Sequence, residues 1–284
     1  RRNSRPGSRR NLSEHYDLGN DFFRPWLDPE MIYSSGYYED GAATLEEAQS
    51  AKFALVTEFL QLTGGENVLE IGSGWGALAR HMACNGAARV TGITLSHEQL
   101  THAREHSIGA GAGQGGSCQF ELCDYRDVTG QFDRIVAIEM IEAVGERYWP
   151  RFFQTLNDRL VPGGSAVIQA ITIDEARFDA YRRKADFIQR YIFPGGMLPT
   201  VSVIARQAAA AGMRLERSTQ FGTCYARTLR EWRRRFELSW PRIAELGFDE
   251  SFRRRWLYYL SYCEAGFMEG AVDVGVYRLV KARA

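Results

Sequence analysis

A glycine-rich turn between an apolar strand and a helix constrains this chain more than any other feature. The run VLEI at residues 68–71 leads into GSGWG at residues 72–76, and helical spacing begins at Ala77. Glycines in such a turn let the backbone approach a ligand closely. The helix that follows offers unpaired N–H groups and the positive end of its dipole. The pattern therefore predicts an α/β fold with a ligand site at this turn.

The spacing of these glycines indicates which ligand the turn accommodates. The spacing is G-x-G-x-G, which is tighter than the G-x-G-x-x-G of dinucleotide sites. An ordered set of polar residues also follows the later strands. Together these features favour S-adenosylmethionine over NAD as the cofactor.

From residue 67 onward, strand-like and helix-like segments alternate as they do in a Rossmann-like fold. Seven strands are predicted, at residues 67–71, 89–95, 118–123, 132–138, 166–171, 214–221 and 272–280. Helices are predicted at residues 45–62 and 201–211, and two more between residues 227 and 268. Ser96 followed by Gln99 is typical of a capping box. We therefore expect an α/β core with a helical insertion late in the chain.

Composition and charge exclude several kinds of protein. The 284 residues carry 35 basic and 35 acidic side chains, so a general nucleic-acid binder is not expected. The five cysteines form no CxxC pair, which predicts a reducing cytoplasmic setting with neither structural disulfides nor a metal site. No apolar run approaches the roughly 20 residues that a membrane-spanning helix needs, so we expect any membrane contact to be peripheral.

Arginines are concentrated at residues 1–10, 227–235 and 253–255. The first of these stretches is predicted to be a flexible basic segment, and the other two lie on predicted helices. Such runs are either solvated helix faces or contacts for anionic lipid headgroups, and the sequence leaves both open.

Polar residues follow the second and third predicted strands, at the edge of an open α/β sheet that faces the ligand crevice. Thr94 and Gln99 are placed to bind a ribose, although a strand end and a helix-cap partner would also account for them. Asp124 and Tyr125 are placed to accept the adenine amino proton and to stack on the base. These four residues are predicted to bind the nucleoside part of the cofactor.

Two carboxylates, Glu139 and Glu142, follow the fourth strand. A carboxylate in a mostly apolar pocket tends to have a raised pKa and can serve as a base. Both are therefore candidate catalytic residues, and ion pairs with neighbouring arginines are the structural alternative.

Short segments in a fixed order along the chain carry a more specific signal. They are HYDLGNDFF (15–23), MIYSSGYY (31–38), AQSAK (48–52), IGSGWG (71–76), DYRD (124–127), FDRIV (132–136), YIFPGG (191–196) and YYLSYC (258–263). Together they resemble the cyclopropane-fatty-acyl-phospholipid synthase and mycolic acid cyclopropane synthase family of methyltransferases. The resemblance implies a Rossmann-like class I methyltransferase fold, with a mostly parallel seven-stranded sheet, helices on both faces and a helical insertion that covers the substrate.

The resemblance also implies how the chain is divided. Residues 11–284 would form one methyltransferase domain after the basic segment. Within it, residues 11–66 would be an N-terminal helical lid, residues 67–172 the cofactor-binding core, and residues 173–284 the acyl-substrate region with the final strands.

In the family pattern, the cofactor lies against residues that this chain matches. Tyr33 and Ser34 would hold the methionine carboxylate of S-adenosylmethionine, with Gly72, Gly74 and Gly76 beneath it. The ribose and adenine contacts that the resemblance implies are the same four residues that follow the second and third strands.

The family's substrate is a cis double bond within a membrane-lipid or carrier-bound acyl chain. Its π electrons attack the sulfonium methyl group, and the resulting carbocation must be stabilised and deprotonated. Aromatic rings suit the first task, and Tyr225 is singled out because it matches the family's site. Cys263 matches a family cysteine near the pocket, with either a covalent or a packing role. His15 is expected to position a lid.

Part of a bicarbonate site is matched as well. Cyclopropane-forming relatives hold a bicarbonate ion as base through a cysteine, a glutamate followed by a histidine, a strand histidine, an isoleucine N–H and a tyrosine. Glu142, Ile171 and Tyr225 match that pattern.

The remaining positions of that site depart from the family. Ser35 stands for the cysteine, Ala143 for the histidine after the glutamate and Gln169 for the strand histidine. Glu139 stands where those relatives have glycine, which places a second negative charge close to Glu142. We therefore expect bicarbonate to be absent or weakly held. Glu139 would take its place, as base or as electrostatic partner of the cation.

Similar glutamate substitutions occur in relatives that make hydroxylated or methyl-branched acyl products, and the resemblance is closest to the branch linked with methylated furan fatty acids. The predicted activity is C-methylation of a double bond in unsaturated phospholipid acyl chains, giving a methyl-branched or methylene product. The predicted location is the cytoplasm, with peripheral association at the inner face of the membrane. A bicarbonate-dependent cyclopropane synthase, a methyltransferase for a soluble small molecule, a non-enzymatic cofactor-binding protein and a homodimer are left open.

Overall fold

Seven strands form one sheet in the computed structural model, which describes residues 18–39, 41–86 and 88–283. The strands are β1 (Asn67–Ile71), β2 (Arg89–Thr94), β3 (Ser117–Leu122), β4 (Phe132–Ile138), β5 (Leu160–Ile173), β6 (Met213–Gln220) and β7 (Val272–Lys281). Their order is β3-β2-β1-β4-β5-β7-β6. The first five pair in parallel, and β7 is antiparallel to both of its neighbours. The predicted mostly parallel, seven-stranded sheet is confirmed.

Helices connect these strands. The described helices are α1 (Asn20–Phe23), α2 (Leu45–Leu60), α3 (Ala77–Gly86), α4 (His97–His106), α5 (Ile141–Val144), α6 (Trp149–Arg159), α7 (Glu175–Arg183), α8 (Phe187–Tyr191), α9 (Val201–Ala210), α10 (Gly222–Ala244) and α11 (Glu250–Met268). Polar caps fix several of their starts, as where Thr44 and Glu47 form a capping box before α2 and Asp186 and Gln189 form one before α8. The predicted pair of aromatic-rich helices is present as α10 and α11.

Two apolar cores lie on opposite faces of the sheet, because successive side chains of a strand point to opposite sides. In β1, Val68 belongs to one core, whereas Leu69 and Ile71 belong to the other. Helices α2, α10 and α11 contribute to the first core, and α6 and α9 contribute to the second. Helices on both faces were predicted and are confirmed.

Some element boundaries differ from the sequence prediction for identifiable reasons. Strand β5 begins at Leu160 rather than at residue 166, because the Pro-Gly-Gly run at residues 162–164 resembles a turn although it continues the strand. Only half of the predicted capping box before α4 forms. The Ser96 hydroxyl accepts a hydrogen bond from the Gln99 N–H at 3.3 Å, but the Gln99 side chain bonds to Thr94 instead.

The sheet order creates a crevice at one edge. The chain leaves β1 in one direction to form β2 and β3, and β4 and β5 lie on the other side of β1. Ligands bind at such a switch point, beyond the carboxyl ends of the parallel strands. The glycine turn follows β1 and Glu139 follows β4, so both lie at this point.

Helices α7 and α8 follow β5, and α10 and α11 form the predicted helical insertion between β6 and β7. Its covering role, and the division of the chain into a lid, a core and a substrate region, stay predictions. The predicted flexible segment at residues 1–10 and the predicted lid residue His15 lie outside the described residues. Within the described ranges, every helix is too short or too polar to span a bilayer.

Candidate active site

The turn after β1 needs glycine because its backbone adopts conformations that other residues avoid. Gly72 and Gly76 have φ angles of 82° and 88°, in the left-handed region. A Cβ atom on Gly76 would lie 2.9 Å from the Phe120 ring and 3.0 Å from the Ala103 Cβ. Glycine at position 76 therefore lets β3 and α4 pack directly against the turn.

One cleft brings together the glycine turn, residues 30–34 and the carboxyl end of β4. The predicted site residues that line this cleft are Tyr33, Ser34, Gly72, Gly74, Gln99 and Glu139. The predicted contacts for the methionine end of the cofactor thus adjoin one of the two predicted catalytic carboxylates.

Two buried charged residues in the same cleft were not assigned from the sequence: Lys52 and Glu70. Lys52 is 0% exposed, and its Nζ donates a hydrogen bond to Ser34 Oγ at 2.7 Å. Burial lowers the pKa of Lys52 to about 8, although the nearby carboxylates of Glu139, Asp28 and Glu70 raise it. A buried cation beside Ser34 suits the carboxylate that this part of the cleft is predicted to hold.

Glu70 ends β1 and is 3% exposed. Its Oε2 has no hydrogen-bond partner within the part of the chain that the structure describes. Burial raises the pKa of Glu70 to about 8, against the opposing charges of Arg80 and Lys52. A buried carboxylate oxygen that lacks a donor fits an ammonium group, which S-adenosylmethionine carries at its methionine end.

The sequence contains signals that could have identified Lys52 and Glu70. Gln49 and Lys52 are three residues apart on α2, which places them on one helix face. Both contact Ser34, since Gln49 Nε2 donates to the Ser34 carbonyl at 2.9 Å. Glu70 immediately precedes the glycine turn, where a side chain can point along the crevice.

The predicted nucleoside-binding residues are held by local contacts. Thr94 Oγ1 donates to Gln99 Oε1 at 2.8 Å. The Asp124 carboxylate accepts hydrogen bonds from the Arg126 backbone N–H at 3.0 Å and from the Arg126 guanidinium at 2.8 and 2.5 Å. The Tyr125 ring packs edge-on against Phe152, with centroids 5.5 Å apart. Gly76, Thr94, Asp124 and Tyr125 lie outside the lining of the cleft, and their cofactor contacts stay predictions.

Glu139 lies at the centre of a hydrogen-bond network that joins four distant parts of the chain. Its Oε1 accepts hydrogen bonds from the Ser35 backbone N–H at 2.9 Å and from Gln169 Nε2 at 2.7 Å. Its Oε2 accepts one from the Tyr225 hydroxyl at 2.6 Å. Three donors thus converge on one carboxylate, and no arginine pairs with it among the described residues. The described residues therefore give no support to the alternative of an arginine ion pair for Glu139.

The backbone at Glu139 is also unusual. Its φ angle is 49°, in the left-handed region that residues with a side chain rarely adopt. The Glu139 N–H donates to the Gln169 carbonyl at 2.8 Å, which fixes this conformation at the end of β4. Desolvation raises the pKa of the Glu139 carboxyl, while the bonds from Tyr225 and Ser35 lower it. The three donors therefore stabilise the charged form of Glu139, whereas burial favours its protonated form.

Glu142 lies on the adjacent short helix and has a different environment. Its Oε1 accepts a hydrogen bond from the Ile171 N–H at 2.6 Å, and its Oε2 has no partner in the described ranges. Desolvation and the neighbouring charge of Glu139 raise the pKa of Glu142 to about 8. No described arginine pairs with Glu142 either. The two carboxylates therefore form an acidic pair in which Glu139 accepts three hydrogen bonds from other residues and Glu142 accepts one.

Tyr225 and Cys263 lie on the two long helices. Tyr225 is 6% exposed, and the Glu139 bond places its hydroxyl at the site. Burial raises the pKa of the Cys263 thiol well above its usual range, so the thiol stays protonated and its nucleophilicity is low. A protonated thiol favours packing for Cys263 over a covalent role. A further link is the 2.9 Å contact between the hydroxyls of Tyr33 and Tyr259, which joins the cleft to α11.

The fold and the cleft define a class of protein. The sheet order and the glycine turn are those of class I S-adenosylmethionine-dependent methyltransferases, and an enzyme of this kind from Galdieria sulphuraria matches with a TM-score of 0.78 at 15% identity, which shows the shared fold. More specifically, the model of the mycolic acid cyclopropane synthetase family matches residues 3–277, so the chain belongs to that family. S-adenosylmethionine is the cofactor of these methyltransferases, and the cleft residues fit its methionine end.

Two named relatives have sequences similar to that of this chain. The chain is 44% identical to tuberculostearic acid methyltransferase UfaA1 of Mycobacterium tuberculosis, over 98% of this chain and 66% of that protein. It is 40% identical to cyclopropane-fatty-acyl-phospholipid synthase of Escherichia coli, over 95% of this chain and 67% of that protein. The chain thus spans about two thirds of these curated relatives.

Solved structures match along nearly the whole chain. The cyclopropane synthase MmaA2 from Mycobacterium tuberculosis has a TM-score of 0.86 at 30% identity, covering 96% of this chain and 98% of that one. The mycolic acid cyclopropane synthase CmaA1, complexed with SAH and CTAB, has a TM-score of 0.87 at the same identity and coverage.

Proposed function

We propose that this protein transfers a methyl group from S-adenosylmethionine to a double bond of an unsaturated fatty acyl chain in a phospholipid, giving a methyl-branched or methylene product. Two relatives support an acyl substrate by name, one as a tuberculostearic acid methyltransferase and one as a cyclopropane-fatty-acyl-phospholipid synthase. The product, and the use of a side-chain carboxylate in place of bicarbonate, are the finer parts of the proposal.

The single observation that carries the finer part is the network around Glu139. Ser35, Gln169 and Tyr225 stand at positions that the family resemblance links with a bicarbonate ion, and all three donate to the Glu139 carboxylate. A carboxylate is planar and anionic like bicarbonate and accepts the same kinds of hydrogen bond. Glu139 therefore supplies from the chain what a bound anion supplies elsewhere.

This arrangement can meet both needs of the reaction. The cofactor supplies an electrophilic methyl group. The fixed negative charge of Glu139 stabilises positive charge on the acyl carbon beside the newly methylated one. The same carboxylate then accepts the proton that leaves, so that a neutral product and a protonated side chain result. Tyr225 keeps Glu139 oriented throughout, because its hydroxyl donates to Oε2.

A bicarbonate-dependent cyclopropane synthase is the second candidate, and one contact favours it. Glu142 and Ile171 match the family's bicarbonate positions, and Glu142 Oε2 has no partner among the described side chains. An anion next to this carboxylate would need Glu142 to be protonated, which its raised pKa permits below pH 8 or so.

Product analysis with trideuteromethyl cofactor and a monounsaturated phospholipid distinguishes the outcomes. Loss of a proton from a chain carbon leaves three deuterons and an internal methyl-branched alkene. Loss from the new methyl group leaves two: direct ring closure gives a cyclopropane, and a preceding hydride shift from the methylated carbon to the cationic carbon gives a methylene alkene. Mild hydrogenation separates these last two, because it saturates the methylene alkene and leaves the ring intact. A cyclopropane as main product would contradict the proposal.

A second experiment tests the role of Glu139 in place of an anion. In Glu139→Gly the three donors lose their carboxylate, and the left-handed backbone becomes unstrained. We expect the variant to be nearly inactive in carbonate-free buffer and to regain activity with added bicarbonate or formate. The wild type should not respond to either anion. Stimulation of the wild type by bicarbonate would favour the second candidate.

A further inference from the structure

An aromatic cluster lies on the outer surface of α8 and α11. Phe187 on α8 contacts the rings of Tyr191, Tyr258 and Tyr262 at centroid distances of 5.2, 4.6 and 6.3 Å. Tyr191, Tyr258 and Tyr262 remain 59%, 53% and 42% exposed. Most large aromatic side chains of the described chain are buried, so this is a clustered exception.

Cationic side chains lie close to this cluster along the chain. Arg183 and Lys184 precede α8, Arg190 adjoins Tyr191, and Arg254 and Arg255 lie one helical turn before Tyr258. All five are exposed, and none forms an ion pair with another described residue. The arginines of α10 differ, since Arg230 and Arg233 both pair with Glu264.

One acidic residue beside the cluster offsets only one of these five positive charges. Asp186 is partly buried, and its carboxylate accepts the Gln189 N–H at 2.9 Å as the cap of α8. We call the four rings and the five cations the aromatic–basic surface.

The aromatic–basic surface lies on the outside of the wall of the cleft. Tyr258 points to solvent, whereas its neighbour Tyr259 is 5% exposed and its hydroxyl lies 2.9 Å from that of Tyr33. The segment after α8 reaches the site as well, since the Met197 N–H donates to the Glu142 carbonyl at 2.9 Å. A lipid held at this surface would therefore be one helix thickness from the cleft.

We infer that the aromatic–basic surface docks on the headgroup region of an anionic phospholipid bilayer. Tyrosine is enriched at membrane interfaces, where its ring and hydroxyl meet different surroundings. Basic side chains are attracted to anionic headgroups. A second copy of the chain is a poorer occupant, because a two-fold contact would place the same cations against each other. The inference rests on the proposed function, because a phospholipid substrate is the reason for the protein to dock on a bilayer.

Vesicle binding tests the inference directly. The purified full chain is sedimented with vesicles of phosphatidylcholine alone, or of phosphatidylcholine and phosphatidylglycerol in equal parts, at low and high salt. We expect binding to the anionic vesicles that salt weakens. Arg254→Gln with Arg255→Gln should lower the partition coefficient about 30-fold, since each charge contributes about fivefold. Tyr191→Ser should lower it separately.

Matched controls lie on other surfaces. Ile108 is 88% exposed on the connector before β3, and Arg206 is exposed on α9. Ile108→Ser and Arg206→Gln should leave vesicle binding unchanged. Melting temperature and cofactor binding show whether each variant is folded.

Several outcomes would overturn the inference. Among them are unchanged binding in the surface variants, an equal loss in the controls, or a dimer that the surface variants dissociate without any effect on vesicles. Methylation of detergent-dispersed phospholipid separates this inference from the proposed function. If the surface variants lose vesicle binding but still methylate dispersed phospholipid, the result supports both the inference and the proposed function. If vesicle binding depends on the surface residues but the protein methylates no lipid, the docking inference stands and the proposed function is wrong.

Discussion

At the scale of single residues, Glu139 is the position where the proposed chemistry departs from the family pattern. Where the family pattern has glycine, this chain places a carboxylate on a left-handed backbone, at a φ angle of 49°. The strained conformation is tolerated because Ser35, Gln169 and Tyr225 each donate to the side chain. Strain that the surroundings maintain in this way is common at functional sites.

Glu139→Gln should separate binding from chemistry. Glutamine keeps the shape and one acceptor oxygen, so Ser35 and Gln169 retain their bonds, but it removes the charge and the basic site. We expect turnover to fall at least about 100-fold, within the range for loss of a general base. Cofactor affinity, measured by calorimetry, should stay near that of the wild type. Turnover close to normal would remove Glu139 from the mechanism.

Glu142 gives a prediction about stability and pH. Its pKa is raised from 4.5 to about 8, so the folded state binds more protons than the unfolded state between these values. The free energy of unfolding contributed by Glu142 therefore falls as the pH rises through this window. Glu142→Gln cannot ionise and should be progressively more stable than the wild type from pH 5 to pH 8 or so, with a constant difference above that.

Urea unfolding at a series of pH values measures this difference. Glu216→Gln is the control of opposite sign, because hydrogen bonds from Arg278 lower the pKa of Glu216. Glu216 therefore stabilises the fold above its unfolded pKa, and its replacement should cost stability at neutral pH. A pH-independent difference for Glu142→Gln would show that its carboxyl is not perturbed by folding.

At the scale of secondary-structure elements, the turn after β1 should tolerate substitution poorly at Gly76. Gly76→Ala places a Cβ at a φ angle of 88°, and within 3.0 Å of α4 and β3. We expect lower thermal stability and at least about tenfold weaker cofactor binding, because the turn must shift within the cleft wall. Gly113→Ala is the matched control, since a Cβ there meets nothing within 4 Å. Equal behaviour of the two variants would contradict the role of the turn.

The sequence predicted the elements better than the contacts between them. Periodicity located all seven strands, and the glycine spacing located the cleft. It could not reveal that Ser35, Gln169 and Tyr225 converge on Glu139, because these residues are far apart in the chain and meet only after folding. Lys52 was missed for a related reason, since a buried lysine at helical spacing looks like a surface residue until its neighbours are known.

At the scale of the whole molecule, the part of the chain before β1 is joined to its last helices. Phe22 contacts Trp256 at 5.0 Å and Phe252 at 5.5 Å between ring centroids, and Trp26 contacts Trp232 at 6.0 Å. Phe22 and Trp26 are 0% exposed. Edge-to-face aromatic contacts and burial thus tie these residues to α10 and α11.

Phe22→Ala should therefore destabilise the entire domain and not only a local segment. Removing a fully buried phenylalanine costs about 3–5 kcal/mol of the free energy of unfolding, which corresponds to a fall in Tm of roughly 10 °C for a chain of this size. We expect one cooperative transition when tryptophan fluorescence and far-UV circular dichroism are followed together, since Trp256 reports on the contact that is lost. Ile108→Ser, at a position that is 88% exposed, should leave Tm unchanged. An early fluorescence transition in Phe22→Ala, with the circular dichroism of the sheet unaffected, would instead show that residues 18–66 open independently of the rest. In that case the contact between Tyr33 and Tyr259 would be a closing contact and not part of the permanent core.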